Sequence, residues 1–204
     1  MAPPISSKDH LFTPGLSASR RLVSSRADKL MTERDVEEYK ALRATIRQRG
    51  SARPWAFLTG LSAWAAVTAA TTTLTTLPLI SLLPLLLLAA TFEVVFALHV
   101  GVERIGRYLQ VFHQDRWEQT AMAFGPPLAR TGSDPLFTVL FLLAAVCNFV
   151  PVLLAEPLPV ELGVLGAVHL IFAVRLVIAR NAAAGQRAAD LARFRSLLAE
   201  SDHQ

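Results

Sequence analysis

Glu93 and Arg175 are the ionisable residues whose positions carry the most chemical information. Glu93 lies inside a segment without Lys or Arg, residues 54–103, and Arg175 directly follows a second one, residues 131–174. A charge near the centre of a bilayer costs about 2.5 to 3.5 kcal/mol. If both segments are membrane-spanning helices, a rise of about 1.5 Å per residue places the two side chains at depths of about 21 and 25 Å. We therefore predict an ion pair between helices.

The predicted proximity of Glu93 and Arg175 allows three interpretations. It can be a lock between helices, with the Arg175 guanidinium bound to the carboxylate through two hydrogen bonds. Alternatively, Arg175 can reach the inner headgroups while Glu93 stays protonated. In the third reading Glu93 belongs to a proton or ion relay. Retained activity and folding after both residues are made apolar would dismiss the relay.

A second polar group follows along the same predicted helix. His99 and Glu103 are one helical turn apart, which is acceptable spacing for metal ligands, but two ligands do not make a metal site. His113 lies about 21 Å from His99 along a helix and cannot complete it. Together with Arg107, these residues could form a headgroup-facing site at the inner membrane surface. The alternative is ordinary hydrogen bonding between helices.

His169 is predicted near the midplane of the last apolar segment, among small residues. A lone histidine there could ligate haem or a chlorin. A haem held between His169 and His99 of the same chain is not expected, because their predicted depths differ by about 15 Å. The ordinary alternative is a hydrogen bond to Asn148, which is predicted at a similar depth.

Motifs that would identify an enzyme are missing from the sequence. It contains no GxxxxGK, GxGxxG, CxxC, HExxH or GxSxG. Cys147 is the only cysteine, so no intramolecular disulfide can form. We therefore lean against an enzyme and expect no metal, no cofactor and no catalytic residues.

The elements that must position these side chains follow from composition and charge. The chain is 52% hydrophobic, and its 20 Lys and Arg lie before Pro54, between Arg104 and Arg130, or from Arg175 onward. Because Lys and Arg in short flanking segments stay on the cytoplasmic side, both termini and the central loop are expected inside. The fold class predicted is all-α, an integral membrane four-helix bundle whose long second helix extends into the cytoplasm.

The predicted boundaries follow from helical periodicity, caps and the length that a crossing requires. They are a flexible arm over 1–31, an amphipathic cytoplasmic helix over 32–50, and crossings over 54–77, 79–101, 136–154 and 158–179. The second crossing is expected to continue as a cytoplasmic helix to about 124, and a C-terminal cytoplasmic helix is expected over 180–200.

The function predicted is an accessory or oligomerising subunit of a larger membrane assembly. The alternatives are a small transporter or proton-conducting unit using Glu93, His99 and Arg175, and a membrane-surface enzyme acting on lipid headgroups. The expected partners are membrane lipids with other membrane subunits or further copies of the chain, and no nucleic acid, because the basic residues flank apolar spans. The first 53 residues hold no apolar run typical of a secretory signal. The expected location is the bacterial inner (plasma) membrane, with an organelle membrane as the alternative.

Overall fold

The computed structural model describes residues 14–72, 78–113, 116–117, 119–120 and 135–201. Within these ranges the chain is helical and has no β-strand, which confirms the all-α prediction. The four helices are α1 (Pro14–Thr72), α2 (Leu82–Phe112), α3 (Pro135–Leu154) and α4 (Pro159–Ser201), and a short 3₁₀ turn, Pro78–Ser81, precedes α2.

The chain divides into two units, residues 1–41 and 42–204. In the first unit, residues 14–41 are helical, and Glu37 and Lys40 form an exposed ion pair of 2.8 Å one turn apart. The second unit holds the hydrophobic core and the candidate sites.

The boundaries of α1 differ from those predicted. The expected loose arm over 1–31 is helical from Pro14, while residues 1–13 lie outside the described part of the chain. The helix also continues through Gly50 and Pro54, where the sequence indicated an end. A single glycine lowers the stability of a helix by only about 1 kcal/mol, and the helix-forming residues around Gly50 outweigh that loss. A helical proline crowds the carbonyl four residues earlier, which here belongs to the adaptable Gly50.

Two further boundaries are corrected. Helix α4 is continuous over Pro159–Ser201, whereas separate helices were expected over 158–179 and 180–200. No proline interrupts this segment, so nothing forces a break. Helix α2 ends at Phe112, where the backbone N–H of His113 donates to the Leu109 carbonyl at 3.1 Å. It therefore does not run unbroken to about 124, and residues 121–124 lie outside the described residues.

Consecutive helices of the second unit pack antiparallel. Arg53 of α1 meets His99 of α2, whereas Gly60, later in α1, packs against Thr91, earlier in α2. Phe141 of α3 meets Phe92 of α2, and the later Asn148 meets Ser81, which directly precedes α2. Asn148 also meets His169, early in α4. Helices α2 and α4 consequently run parallel to each other and make the most extensive helix contact.

An aromatic core joins all four helices. The Phe92 ring of α2 lies edge-on to Phe141 of α3 at 5.3 Å and to Phe172 of α4 at 6.3 Å. Phe57 of α1 approaches Phe141 at 5.7 Å, also edge-on. Each such pair contributes about 0.5 to 1.5 kcal/mol beyond the area that it buries.

The connection between α3 and α4 is short and capped. Glu161 in the first turn of α4 accepts a hydrogen bond from the Leu158 backbone N–H at 2.9 Å, and Pro159 opens the helix. Glu156 adopts a left-handed backbone conformation with φ of 49°. The turn therefore reverses the chain within a few residues, as a helical hairpin requires.

Two helical segments are long and apolar enough to cross a membrane, Pro78–Phe112 and Pro159–Glu200. The apolar segment of α3, Thr138–Leu154, is shorter, and the expected crossing 54–77 is not among the segments that qualify within the described residues. Only 39% and 22% of the two most apolar windows are buried. The core helix of a water-soluble protein would be mostly buried, so this exposure favours association with a membrane.

Candidate functional site

The structure brings Glu93 and Arg175 together. The Arg175 Nε lies 2.8 Å from the Glu93 Oε1, and its Nη2 donates to Oε2 at 2.9 Å, which is the two-pronged geometry of a strong pair. The guanidinium also lies 6.0 Å from the Phe92 ring centroid and 5.7 Å from that of Phe96. Cation–π attraction and the pair together hold Arg175 against α2.

This ion pair lies on the outside of the bundle. The side chains of Arg175 and Glu93 are 42% and 48% exposed. Around them, α2 and α4 present a continuous surface, here called the α2–α4 face. Apart from the pair, its members are exposed apolar residues at helical spacing: Leu86, Ala90, Ala97, Val168, Ile171 and Ile178. The pair is thus an isolated polar spot on an apolar surface.

A second layer of ion pairs joins the same two helices further along. Arg107, with only 5% of its side chain exposed, contacts the Glu103 carboxylate at 3.2 Å and the Asp190 carboxylate at 3.0 Å. Arg187 contacts the other oxygen of Glu103 at 2.7 Å, and Arg104 reaches Asp190 at 3.4 Å. Because a buried charge is costly, these two carboxylates are what makes the burial of Arg107 tolerable.

His99 links this layer to α1. Its Nδ1 lies 2.9 Å from an Arg53 guanidinium nitrogen. Arginine can only donate hydrogen bonds, so Nδ1 is the acceptor, and in the neutral ring Nε2 carries the proton. That Nε2 lies 3.5 Å from the Glu103 carboxylate. Arg49, one turn before Arg53, packs its guanidinium against the backbone of Gly101.

His113 lies beside a group of aromatic side chains. It follows the last residue of α2, and its ring lies 6.0 Å from that of Tyr108. Tyr108 in turn packs on Phe112 at 4.6 Å and on Phe194 of α4 at 5.7 Å. His113 is therefore attached to an aromatic cluster that continues the α2–α4 contact.

His169 and Asn148 form a buried hydrogen-bonded unit. The His169 Nδ1 lies 2.8 Å from the Leu165 carbonyl, which can only accept, so Nδ1 carries the proton. Its Nε2 then accepts from the Asn148 amide nitrogen at 3.1 Å. The same amide nitrogen donates to the Ser81 carbonyl at 3.1 Å. A haem or chlorin could reach Nε2 only by displacing Asn148.

Four residues of the second layer of ion pairs and its link to α1 were not singled out in the sequence: Arg53, Arg104, Arg187 and Asp190. A signal for two of them exists. The Glu93–Arg175 and Glu103–Arg187 pairs span 82 and 84 residues, and Arg107–Asp190 spans 83. If Glu93 and Arg175 are assumed to pair between parallel helices, nearly the same separation in sequence indicates Arg187 and Asp190 as the partners of Glu103 and Arg107. No such rule applies to Arg53, because α1 runs antiparallel to α2.

The chemistry available to these residues is limited by their mutual contacts. Both oxygens of Glu103 contact arginines, and His99 already accepts a hydrogen bond at Nδ1. The described residues contain no group of three or more His, Cys, Asp or Glu arranged to hold a metal ion. The contacts of the second layer of ion pairs thus hold its own helices together. Family models, curated proteins and solved structures provide no match to this chain.

Proposed function

We propose that this chain is an integral membrane protein that oligomerises and acts as an accessory subunit of a membrane assembly. Four crossings place both termini and the central loop in the cytoplasm, as the distribution of Lys and Arg indicates. The poorly buried apolar surfaces of α2 and α4 support lipid contact. The bacterial inner membrane is the proposed location.

The observation that supports oligomerisation is the half-exposed position of the Glu93–Arg175 ion pair. Two charges facing hydrocarbon lose their hydration, and their mutual attraction repays that cost only when the remaining hydrogen-bonding positions are satisfied. The surrounding residues of the α2–α4 face are apolar, so their side chains cannot form hydrogen bonds with Glu93 or Arg175. A protein neighbour that covers this face would supply the missing polar contacts.

We propose a second copy of the chain as that neighbour. The α2–α4 face carries one cation and one anion side by side, so it is complementary to itself after a two-fold rotation. Glu93 of each copy then approaches Arg175 of the other, and four charges form a closed network. The small side chains of Ala90 and Ala97 allow the two backbones to approach closely.

The geometry favours an ion pair that holds α2 and α4 together over a proton or ion relay. A relay needs the Glu93 carboxylate to reach a hydrated interior, whereas here it lies on the outside of the bundle, bound at both oxygens by Arg175. A headgroup-modifying enzyme needs a reactive group in the second layer of ion pairs. There, Glu103 is engaged by Arg107, Arg187 and His99.

Cysteine cross-linking in membranes tests the proposal. In a Cys147→Ala background, Ala97→Cys on the α2–α4 face should form a disulfide-linked dimer under mild oxidation. Val146→Cys, which is also exposed but lies on α3 outside this face, is the matched control and should not. Purification in a mild detergent should then give a mass of at least two chains.

Two results would count against the proposal. A single chain in detergent and lipid discs, together with no Ala97→Cys product, would refute oligomerisation. Cross-linking of Ala97→Cys to a different polypeptide would refute the second copy, although it would support an accessory role.

A further inference from the structure

Arg49 is an exposed arginine of α1 whose guanidinium touches the backbone of α2. A Cβ added at Gly101 would lie 2.6 Å from its Nη1, 3.7 Å from its Cζ and 4.0 Å from its Cδ. Because these are the three nearest atoms, Nη2 and Nε lie no closer to that position. Arg49 forms no hydrogen bond or ion pair within the described part of the chain. Its charge is therefore left for an outside partner.

A second exposed arginine lies beside this contact. Residues three apart on a helix have Cβ positions about 5 to 6 Å apart, so Arg104 is a neighbour of Gly101 on the surface of α2. The Arg49 Nη1 thus lies within about 9 Å of the Arg104 Cβ. The Arg104 side chain is 52% exposed, and its contact with Asp190, at 3.4 Å, is longer than that of Arg107 at 3.0 Å. Arg104 is therefore only weakly neutralised.

The segments that meet around the second layer of ion pairs carry more positive than negative charge. Residues 42–53, 101–107 and 180–190 contain eight arginines and only two acidic residues, Glu103 and Asp190. Both carboxylates are already bound by arginines. Arginine forms strong, charge-assisted hydrogen bonds with phosphate groups. A phosphate that approaches from outside would lower this excess of positive charge.

The position of Arg49 along the bundle matches the headgroup level of a membrane. Gly101 is the last residue of the predicted second crossing, and the predicted first crossing begins at Pro54, five residues after Arg49. Trp55 is 69% exposed, and tryptophan is enriched where a membrane meets water. Val94, two helical turns before Gly101 on the same side of α2, is 52% exposed. A lipid with its headgroup at Arg49 would place an acyl chain against Val94.

We propose that Arg49 and Arg104 bind the phosphate group of an anionic phospholipid in the cytoplasmic leaflet. Arg49 donates from Nη2 and Nε, the nitrogens that lie farther from Gly101, and Arg104 donates from its exposed side chain. Two cations at one phosphate select a headgroup with a net negative charge, such as phosphatidylglycerol, over zwitterionic phosphatidylcholine. The inference rests on the proposed membrane location and orientation, and it does not depend on oligomerisation.

Native mass spectrometry of the full chain in mild detergent tests the site by measuring how many phospholipids bind and how tightly. Phosphatidylglycerol should bind more tightly than phosphatidylcholine with the same acyl chains. Arg49→Gln and Arg104→Gln should each weaken phosphatidylglycerol binding about fivefold, the effect of one arginine near a lipid surface, and leave phosphatidylcholine unaffected. Gly101→Ala should also weaken it, because the added methyl group displaces the Arg49 guanidinium.

Matched variants control for charge and for the added methyl group. Arg47→Gln removes the same charge from an exposed residue on nearly the opposite side of α1, and Gly185→Ala adds a methyl group with nothing within 4 Å. Neither should change the affinity. Equal losses in Arg47→Gln and Arg49→Gln would indicate diffuse attraction and refute the site, as would unchanged affinity in Arg49→Gln or equal binding of the two lipids. Soluble glycerol phosphate should not displace the lipid, and displacement would overturn the assignment to a lipid.

Failure of this site and failure of the proposed function give different results. A cross-linked dimer that binds phosphatidylglycerol no better than phosphatidylcholine would refute the lipid site alone. A single chain whose phosphatidylglycerol binding depends on Arg49 would keep the site and refute oligomerisation. A chain that stays in solution without detergent would contradict the membrane location on which both proposals depend.

Discussion

Glu103 of α2 and Arg187 of α4 form a 2.7 Å ion pair across 84 residues of sequence, nearly the same separation as the 82 residues between Glu93 and Arg175. The nearly constant offset means that α2 and α4 run parallel with little slippage between two layers of ion pairs. Glu93 and Glu103 are ten residues apart, so the layers lie about 15 Å apart along α2. Two separated layers define both the register and the rotation of the two helices.

Removal of Arg107 is expected to destabilise the bundle strongly. Arg107→Met leaves Asp190 with only the exposed Arg104 at 3.4 Å, and it deprives Glu103 of one of its two arginines. Losing one member of a buried ion-pair network should lower the free energy of unfolding by about 3 kcal/mol. Chemical unfolding in detergent, followed by circular dichroism, measures the change.

Two further variants control this experiment. Arg195→Met on the exposed surface of α4 should change the stability by less than about 0.5 kcal/mol. Arg107→Met combined with Asp190→Asn should recover part of the loss, because the carboxylate that has lost its closer arginine is replaced by a neutral amide. Additive losses in the double variant would show that the two residues are not coupled.

Gly60 is expected to be intolerant of any side chain. A Cβ at this position would overlap the Thr91 side chain, whose hydroxyl is anchored to the Leu87 carbonyl at 2.8 Å. Gly60→Ala should therefore lower stability by about 1 to 3 kcal/mol, the usual range for overpacking. Thermal unfolding in detergent would report the effect.

Gly163 provides the control for that substitution, since a Cβ there meets nothing within 4 Å. Gly163→Ala should leave stability unchanged or raise it by up to about 1 kcal/mol. Thr91→Ala should relieve the overlap and rescue Gly60→Ala. A Gly60→Ala variant as stable as the parent would contradict the close approach of α1 and α2.

His99 and His169 are expected to be opposite tautomers. His169 carries its proton on Nδ1, bound to the Leu165 carbonyl, whereas His99 carries it on Nε2 because Arg53 donates to Nδ1. Nitrogen-15 chemical shifts of histidine-labelled protein distinguish the two forms. Arg53→Met should change the His99 signals only, and identical tautomers in the parent would contradict the hydrogen bonds described.

Glu156 is expected to limit the stability of the α3–α4 turn. A left-handed conformation costs a residue with a Cβ about 1 to 2 kcal/mol, and glycine avoids this at the expense of greater freedom in the unfolded chain. Glu156→Gly should raise the free energy of unfolding by about 0.5 to 1 kcal/mol. Glu156→Ala keeps the backbone cost and should show no gain, so a gain in both variants would point to the charge instead.

The ion pair of Glu93 and Arg175 could be anticipated because an unpaired charge within an apolar segment is expensive, and the position of each residue along its segment follows from counting residues. The Asn148–His169 contact followed from the same arithmetic. The continuous α1 could not be anticipated, since local signals such as Gly50 and Pro54 indicate breaks that the rest of a long helix overrides.

The sequence by itself determined the helical class, the apolar segments and the residues that need partners, because these depend on composition, periodicity and depth along one chain. Only the tertiary structure decided which face each residue occupies and which helix supplies its partner. Arg53 and the half-exposed position of Glu93 depend on how the helices rotate against one another. That rotation is set by side-chain packing summed over the whole core, which no local pattern encodes.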